Sequence, residues 1–182
     1  EYVVLLGGEP GLFPDLTHDI VRGIRDRGLG GRVETNASWA TDDAAARAFL
    51  GPLCAANAQV MLSVDAFHEP FVPLDCVERA VRVLDELDAD MVIEVPYIDY
   101  PEGRHPLDVR TNELLSELER RLGRSPCAPL CRGPVFYKGR AAHALAPGVA
   151  NGRGVPREAC DTVPWWLNGE QATLDLLGLD PA

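Results

Sequence analysis

The sequence predicts an α/β protein built around a parallel sheet. Three observations carry that expectation. Short apolar runs alternate with amphipathic helical stretches about five times along the chain. A glycine-rich turn follows the first run at once. Polar side chains recur where the runs end. Alternation of this kind fits both a closed barrel and an open sheet with helices outside.

The first run, Tyr2 to Leu6, is dominated by β-branched and large apolar residues and reads as a buried strand. Gly7-Gly8-Glu9-Pro10-Gly11 follows, then an amphipathic helix with Phe13, Leu16, Ile20 and Ile24 on one face. Gly28 to Gly31 ends that helix and turns the chain. Arg32 to Thr35 is expected as the second strand. Thr41 is expected to cap an alanine-rich helix over residues 42–50. Gln59 to Asp65 is the third strand. Asp75 and Glu78 have the spacing of a capping box, opening a helix that buries Val77, Ala80, Val81, Leu84 and Leu87. Asp90 to Pro96 is the fourth strand. A loop carrying Asp99, His105 and Asp108 leads to a helix capped by Thr111 or Asn112, with Leu114, Leu115, Leu118 and Leu122 on its apolar face. Gly133 to Lys138 is the expected fifth strand and Ala141 to Leu145 a short helix. Two regions are expected: a (βα) core over residues 1–146, and an irregular extension over 147–182. The extension holds Pro147, Gly148, Gly152, Gly154 and Pro156, and a small element at Trp165-Trp166-Leu167 and Leu174 to Leu179 that packs on the core.

With 182 residues, 46% of them hydrophobic, the chain can bury a sizeable core. Its net charge of −11 argues against a surface that tracks nucleic-acid phosphates. No apolar run approaches the ~20 residues needed to span a bilayer, so no membrane partner is expected. Five cysteines, an odd number, do not form a secreted disulfide framework, and a cytoplasmic location is expected. The chain opens on Glu1 and enters a strand directly, which suggests a segment upstream.

Glu9, Thr35, Asn36, Ser63, Asp65 and Glu94 all fall near the carboxyl ends of expected strands. In a parallel α/β fold those ends converge on one mouth, where ligands sit. Glycines at Gly7 and Gly8 let backbone approach a ligand, because no Cβ intervenes. Glu9 adds a carboxylate able to hold an ammonium or a hydroxyl. His68 beside Glu69 is a candidate proton shuttle.

Gly7-Gly8-Glu9-Pro10 after an apolar strand resembles the second strand-loop of radical S-adenosylmethionine (SAM) enzymes. The resemblance continues in order through Val33-Glu34-Thr35-Asn36-Ala37 and Leu62-Ser63-Val64-Asp65-Ala66-Phe67-His68, over roughly residues 2–100. It implies a partial (βα)6 TIM-like barrel of parallel strands whose first strand is absent from this chain. It implies two cofactors, SAM and a [4Fe-4S] cluster. In cofactor binding, Gly7, Gly8, Glu9 and Pro10 would form the loop that holds the methionine ammonium. Thr35, Asn36 and Ser63 would contact its carboxylate or the ribose, Asp65 the ribose or its neighbourhood, and Glu94 the same mouth. The implied activity is reductive cleavage of SAM to a 5′-deoxyadenosyl radical that abstracts hydrogen from a peptide or small-metabolite substrate. A flavodoxin- or ferredoxin-like electron donor would be the partner. The substrate side of the mouth is expected to include the Asp99–Asp108 loop and the chain after Lys138.

The family's Cys-x3-Cys-x2-Cys segment, which precedes the Gly-Gly-Glu-Pro motif, has no counterpart here. Cys127 and Cys131 are spaced by three, but Pro134 stands where the third ligand would come. With Cys160 they are candidates for an auxiliary cluster or a zinc. Cys54 and Cys76 read as small apolar residues of helices. Two other functions fit the same residues. One is a cluster-less relative that binds SAM or a partner protein. The other is a non-radical barrel lyase or isomerase with Glu9, Asp65 and Glu94 as acid and base.

Overall fold

The computed structural model of the chain describes residues 1–6, 8–126 and 128–135, and the backbone of two strands at 165–167 and 170–172. The chain divides into two compact units, Glu1–Pro134 and Val135–Ala182. The boundary expected at residue 146, the expected short helix at 141–145 and the stretch 174–179 lie outside the described residues.

In the first unit five strands form one parallel sheet in the order β1 (Tyr2–Leu5), β2 (Gly30–Thr35), β3 (Gln59–Ser63), β4 (Met91–Tyr97), β5 (Leu130–Pro134). Helices α1 (Pro14–Asp26), α2 (Asp43–Ala55), α3 (Leu74–Glu86) and α4 (Pro106–Leu122) connect them. The strand order never reverses. Right-handed crossovers then place every helix on the same face of the sheet. This order has no switch point of the doubly wound kind, and it is the order of successive strands in a barrel. The expected parallel α/β fold is therefore present as a five-stranded sheet.

The alternation of side chains along each strand separates two faces. Val33, Val60, Leu62, Ile93 and Val95 point to the helices and are fully buried against Leu50 and Leu53 of α2, Ala80 and Leu84 of α3 and Leu118 of α4. The strand register puts Arg32, Glu34, Met61, Ser63, Val92, Glu94 and Cys131 on the opposite face. Met61 and Val92 are buried there without belonging to the helix-side core.

Several expected boundaries moved. The second strand starts at Gly30, two residues before the expected Arg32. Glycine is needed there because a Cβ at Gly30 would lie 2.4 Å from the Tyr2 ring on β1. Helix α2 runs past Gly51-Pro52 to Ala55. Burial of Leu50 and Leu53 outweighs the single hydrogen bond that Pro52 removes. Its cap is Asp42, whose carboxylate accepts from the Ala45 N–H at 2.8 Å, and not Thr41. Helix α3 starts at Leu74 after Pro73 without a side-chain cap, so the capping box of Asp75 and Glu78 does not form; Asp75 pairs with Arg121 of α4 instead. Leu87, expected inside, is half-exposed just past the end of α3. Helix α4 starts at Pro106, capped by His105, whose Nδ1 accepts from the Leu107 N–H. Thr111 and Asn112 are thus inside the helix. The fifth strand comes at Leu130, three residues earlier than expected, because it pairs in register with Ile93 to Tyr97.

Helix α1 is rolled relative to its expected face. Thr17, Val21 and Ile24 are buried, while Phe13, Leu16 and Ile20 are exposed. Two hydrogen bonds set that roll: the Thr17 hydroxyl donates to the Pro10 carbonyl at 2.9 Å, and His18 Nε2 lies 2.9 Å from the Phe49 carbonyl of α2. Strand β1 pairs on one side only and leaves Tyr2 and Val4 exposed.

In the second unit, β6 (Trp165–Leu167) and β7 (Glu170–Ala172) form an antiparallel pair, so the expected small element at Trp165–Leu167 is a strand. Among the described residues no helix is long and apolar enough to cross a membrane.

The start of α4 is anchored by Asp108, which has no exposed surface. Its two carboxylate oxygens accept from the N–H groups of Ile98 and Asp99, both at 2.8 Å. Asp108→Asn would set an amide NH2 against one of those N–H groups. The expected loss is about 1–3 kcal/mol, read as a lower midpoint in urea unfolding.

Candidate functional site

The turn after β1 is tied to the end of β2 by one carboxylate. Glu9 sits immediately before a 3-10 turn over Pro10–Leu12. Its Oε1 accepts from the Gly11 N–H at 3.0 Å, which caps that turn, and from the Thr35 hydroxyl at 2.6 Å. Its Oε2 accepts from the Asn36 N–H at 2.9 Å. Three of the carboxylate's roughly four lone-pair sites are thereby used within the protein. The Thr35 hydroxyl, which donates to Glu9, accepts in turn from the Trp39 indole N–H at 2.8 Å and the Ala37 N–H at 3.1 Å. Trp39 lies over Gly11, where a Cβ would come within 1.9 Å of the indole, and packs on Phe49 with ring centroids 4.4 Å apart. Gly11 is needed for that close approach.

Gly8 adopts a left-handed backbone (φ 59°), and nothing lies within 4 Å of where its Cβ would stand. The backbone at this point is bare toward open space. Gly7 lies outside the described residues. Pro10 opens the 3-10 turn, and its carbonyl accepts from Thr17 and Phe13.

The end of β3 carries a second constellation. Ser63 is the last residue of the strand and stands opposite Glu94 in the register, with Ser63 Oγ 3.4 Å from Glu94 Oε2. Glu94 is held above the ordinary carboxylate range. Burial is the largest cause and the nearby charge of Glu34 the next, against the Ser63 hydrogen bond. Asp65 is buried. Its Oδ1 accepts from the Phe67 and His68 N–H groups at 2.8 and 2.9 Å, and its Oδ2 lies 2.7 Å from His68 Nδ1. The Asp65 hydrogen bond raises the His68 imidazole above its ordinary value. The charges of Asp65, Glu9 and Glu94 act the same way, and burial opposes them.

Asn36, Ser63, Asp65 and His68 line one cavity of about 650 Å³, walled further out by Val72 and Leu114. Two arginines on α4 close its far side. Arg110 binds Glu69 through both carboxylate oxygens, and Arg121 pairs with Asp75 and Glu117. Glu69 is thus tied to Arg110 and not to its neighbour His68, and Arg110 holds it below the ordinary carboxylate range.

Of the residues singled out in the sequence, Asn36, Ser63, Asp65 and His68 share this cavity. Glu9 and Thr35 sit behind it as a clasp, their polar atoms turned to each other. Glu94 lies mid-strand on the inner face beside Ser63. Asp108 of the loop expected on the substrate side is a buried anchor. Cys131 is exposed on β5, and Cys127 and Cys160 lie outside the described residues. Among the described residues no three His, Cys, Asp or Glu side chains are grouped to hold a metal. Cys54 and Cys76 sit on α2 and α3, where burial pushes both thiols up.

Two participants escaped the sequence reading. Trp39 lies four residues past Thr35 on a bend, with no periodic signal. Arg110 joins the site from an element more than forty residues away. Glu34 was legible: it alternates with Arg32 along β2, which puts it on the inner face with Glu94.

No protein-family model matches the chain, and no curated protein matches it. Among solved structures, the chain is similar to a domain of a pyruvate-formate lyase-activating enzyme from Bacteroides vulgatus ATCC 8482. The identity is 20%, over 70% of this chain and 76% of that one, with a TM-score of 0.47.

Two outcomes follow from this geometry. Glu9→Gln leaves one oxygen for Gly11 and Thr35 but turns an NH2 toward the Asn36 N–H. It should cost about 1–3 kcal/mol and loosen the turn, seen as faster amide exchange at Gly11 and Asn36. Glu94→Gln should act with the opposite sign. Because the folded-state pKa of Glu94 is raised, the wild-type side chain favours folding most when protonated. That contribution is lost as pH rises through the raised value. The Gln variant should therefore match wild type in acid and melt at a higher temperature at neutral pH, in thermal scans across that range.

Proposed function

We propose that this chain is the core of a radical SAM enzyme and binds S-adenosylmethionine at the carboxyl ends of β1 to β4. The observation that carries the reading is the Glu9 clasp. It brings the Gly-Gly-Glu-Pro turn against Thr35-Asn36, so that the first two of three ordered motifs meet, with the third beside them at Ser63 and Asp65. The residues present suit the amino-acid and ribose parts of SAM. The open space at Gly8 leaves room for an ammonium to approach the backbone. Asn36 and Ser63 line the cavity and bring an amide and a hydroxyl that suit a carboxylate or a ribose. Glu9 holds the loop through its carboxylate. Thr35 is spent within the clasp and orients Asn36.

A [4Fe-4S] cluster with SAM bound supplies, in this family, a radical that abstracts hydrogen. No described residue is assigned to that cluster, whose ligands in the family the sequence resembles come before the Gly-Gly-Glu-Pro motif. Among the described residues the outer edge of β1 is unpaired, with Tyr2 and Val4 exposed, and has room for a further strand. This chain's part is to orient SAM, to exclude water from one side of it and to position a peptide or small-metabolite substrate in the cavity.

The test is a calorimetric titration with SAM, joined to iron content and electron paramagnetic resonance on protein expressed anaerobically from the full reading frame. The expected result is saturable SAM binding, about four irons per chain and a reduced-cluster signal that SAM perturbs. SAM binding without iron would replace the radical enzyme by a cluster-less binding module. Neither SAM nor iron would overturn the reading and favour a barrel lyase or isomerase.

A further inference from the structure

The loop after β3 holds a histidine that the SAM reading leaves without a role. Asp65 already closes its loop through Oδ1, which takes the N–H groups of Phe67 and His68. The rest of the loop is fixed from outside, since the Ala66 N–H donates to the buried Thr111 hydroxyl of α4 at 3.0 Å. The imidazole adds nothing to that closure. Yet it lies with Nδ1 2.7 Å from Asp65 Oδ2, on a carboxylate that has no exposed surface.

The other described histidines are arranged differently. His18 has its Nε2 against the Phe49 carbonyl, so its proton sits there. His105 uses its bare Nδ1 to cap α4. His68 alone among them has one ring nitrogen held by a carboxylate. Its other nitrogen has no hydrogen-bond partner among the described residues. Its side chain is 43% exposed, and the edge carrying Nε2 is the one turned away from buried Asp65.

We propose that Asp65 and His68 are a proton-transfer pair, in which His68 Nε2 exchanges a proton with an O–H, N–H or S–H group of a molecule seated in the cavity beside Asn36 and Ser63. Asp65 keeps the proton of neutral His68 on Nδ1, so Nε2 carries the lone pair. When Nε2 takes the proton, the X–H bond breaks and its electron pair stays on X. The imidazolium so formed is stabilised by the Asp65 carboxylate. The proton returns to the same molecule or leaves to water at the exposed edge. Nothing else is consumed.

The cavity suits such a ligand. Its volume of about 650 Å³ is that of a small-molecule site. Asn36, Ser63 and His68 form a polar end, and Val72, Leu74 and Leu114 an apolar wall. The molecule is therefore amphipathic, with its exchangeable hydrogen at the polar end. Asp65, Glu9 and Glu94 face His68 with negative charge, and all three favour the protonated ring. Arg110 of α4, which lines the same cavity, is bound by Glu69 and Glu113, and Arg121 by Asp75 and Glu117. The pair shares its cavity with the SAM reading, in which Asn36 and Ser63 also serve, but the His68 tautomer and its basicity use no atom of the Gly8–Gly11 turn, so the two readings fail separately.

Two measurements test it on the whole chain. The first is the nitrogen NMR spectrum of the histidine rings across a pH titration. The expected neutral His68 has its hydrogen on Nδ1 and its midpoint above the ordinary imidazole value. A hydrogen on Nε2, or a midpoint at or below that value, would overturn the pair. The second uses p-nitrophenyl acetate as a probe of an accessible imidazole base. Its hydrolysis should rise with the His68 titration and be lost in His68→Gln. Asp65→Asn should lower the midpoint by about one unit, tenfold in proton affinity. Equal hydrolysis by wild type and His68→Gln would show Nε2 closed to a substrate and sink the proposal, even if the tautomer were as expected. Because the first measurement needs no variant, it holds if Asp65→Asn fails to fold.

Discussion

Everything at the mouth of this sheet depends on how the turn after β1 is held to the end of β2. The two strands pair over four residues, and that pairing stops at Leu5 and Val33. Beyond it the chains would diverge, β1 into a 3-10 turn and β2 into a bend. Glu9 prevents this with one carboxylate that takes donors from both sides. A charged acceptor on neutral donors gives stronger bonds than a neutral one. The Thr35 hydroxyl then passes the constraint to Trp39, and Trp39 presses on Gly11 and Phe49. A closed circuit of four residues, Glu9, Thr35, Trp39 and Gly11, thus fixes the turn, and Phe49 ties it through Trp39 to the helix-side core. It needs a glycine at position 11 for contact and a left-handed residue at position 8 for direction.

The site and the core share the strands without competing for side chains. The face toward the helices is aliphatic from Val33 to Val95, so strand alternation leaves the other face free to carry Arg32, Glu34, Ser63 and Glu94. Arg32 is turned to Gln59 at 2.7 Å and over the Tyr2 ring, and so does not neutralise Glu34 two residues on. Glu94 is held above the ordinary carboxylate range by burial first and by the like charge of Glu34 next, so its ionised form works against folding at this position.

The sequence made the parallel α/β class legible because short aliphatic runs and helical periods alternate without a break. It made the mouth legible because Asn36, Ser63 and Asp65 all stand at run ends. What it hid was set by contacts between distant segments. The roll of α1 follows from Thr17 on Pro10 and His18 on Phe49, and hydrophobic periodicity alone favoured Phe13, Leu16 and Ile20. The length of α2 follows from the burial of Leu50 and Leu53, against a local Gly-Pro stop signal. The caps of α3 and α4 were misplaced because Asp75 finds Arg121, and because Thr111 serves the β3 loop from inside its helix. Local signals lost wherever a tertiary partner offered the same side chain a better bond.

Glu9 shows why a site residue and a ligand-touching residue are different things. Read from the sequence, an acid after two glycines at a strand end is a group waiting for an ammonium. Placed in the fold, the same carboxylate is largely occupied by the protein's own donors. Its removal would weaken any ligand held by the turn, whether or not the carboxylate touches that ligand. The loss of the turn's geometry and the loss of a direct contact would look alike in an affinity alone. They separate in amide exchange of the unliganded chain, where only the clasp is read. The same distinction runs the other way for His68. Its carboxylate partner is buried and its own side chain is half-exposed. The two loops thus use an acid differently: in the first a part-buried carboxylate ties backbone to backbone, and in the second a buried one holds a side chain.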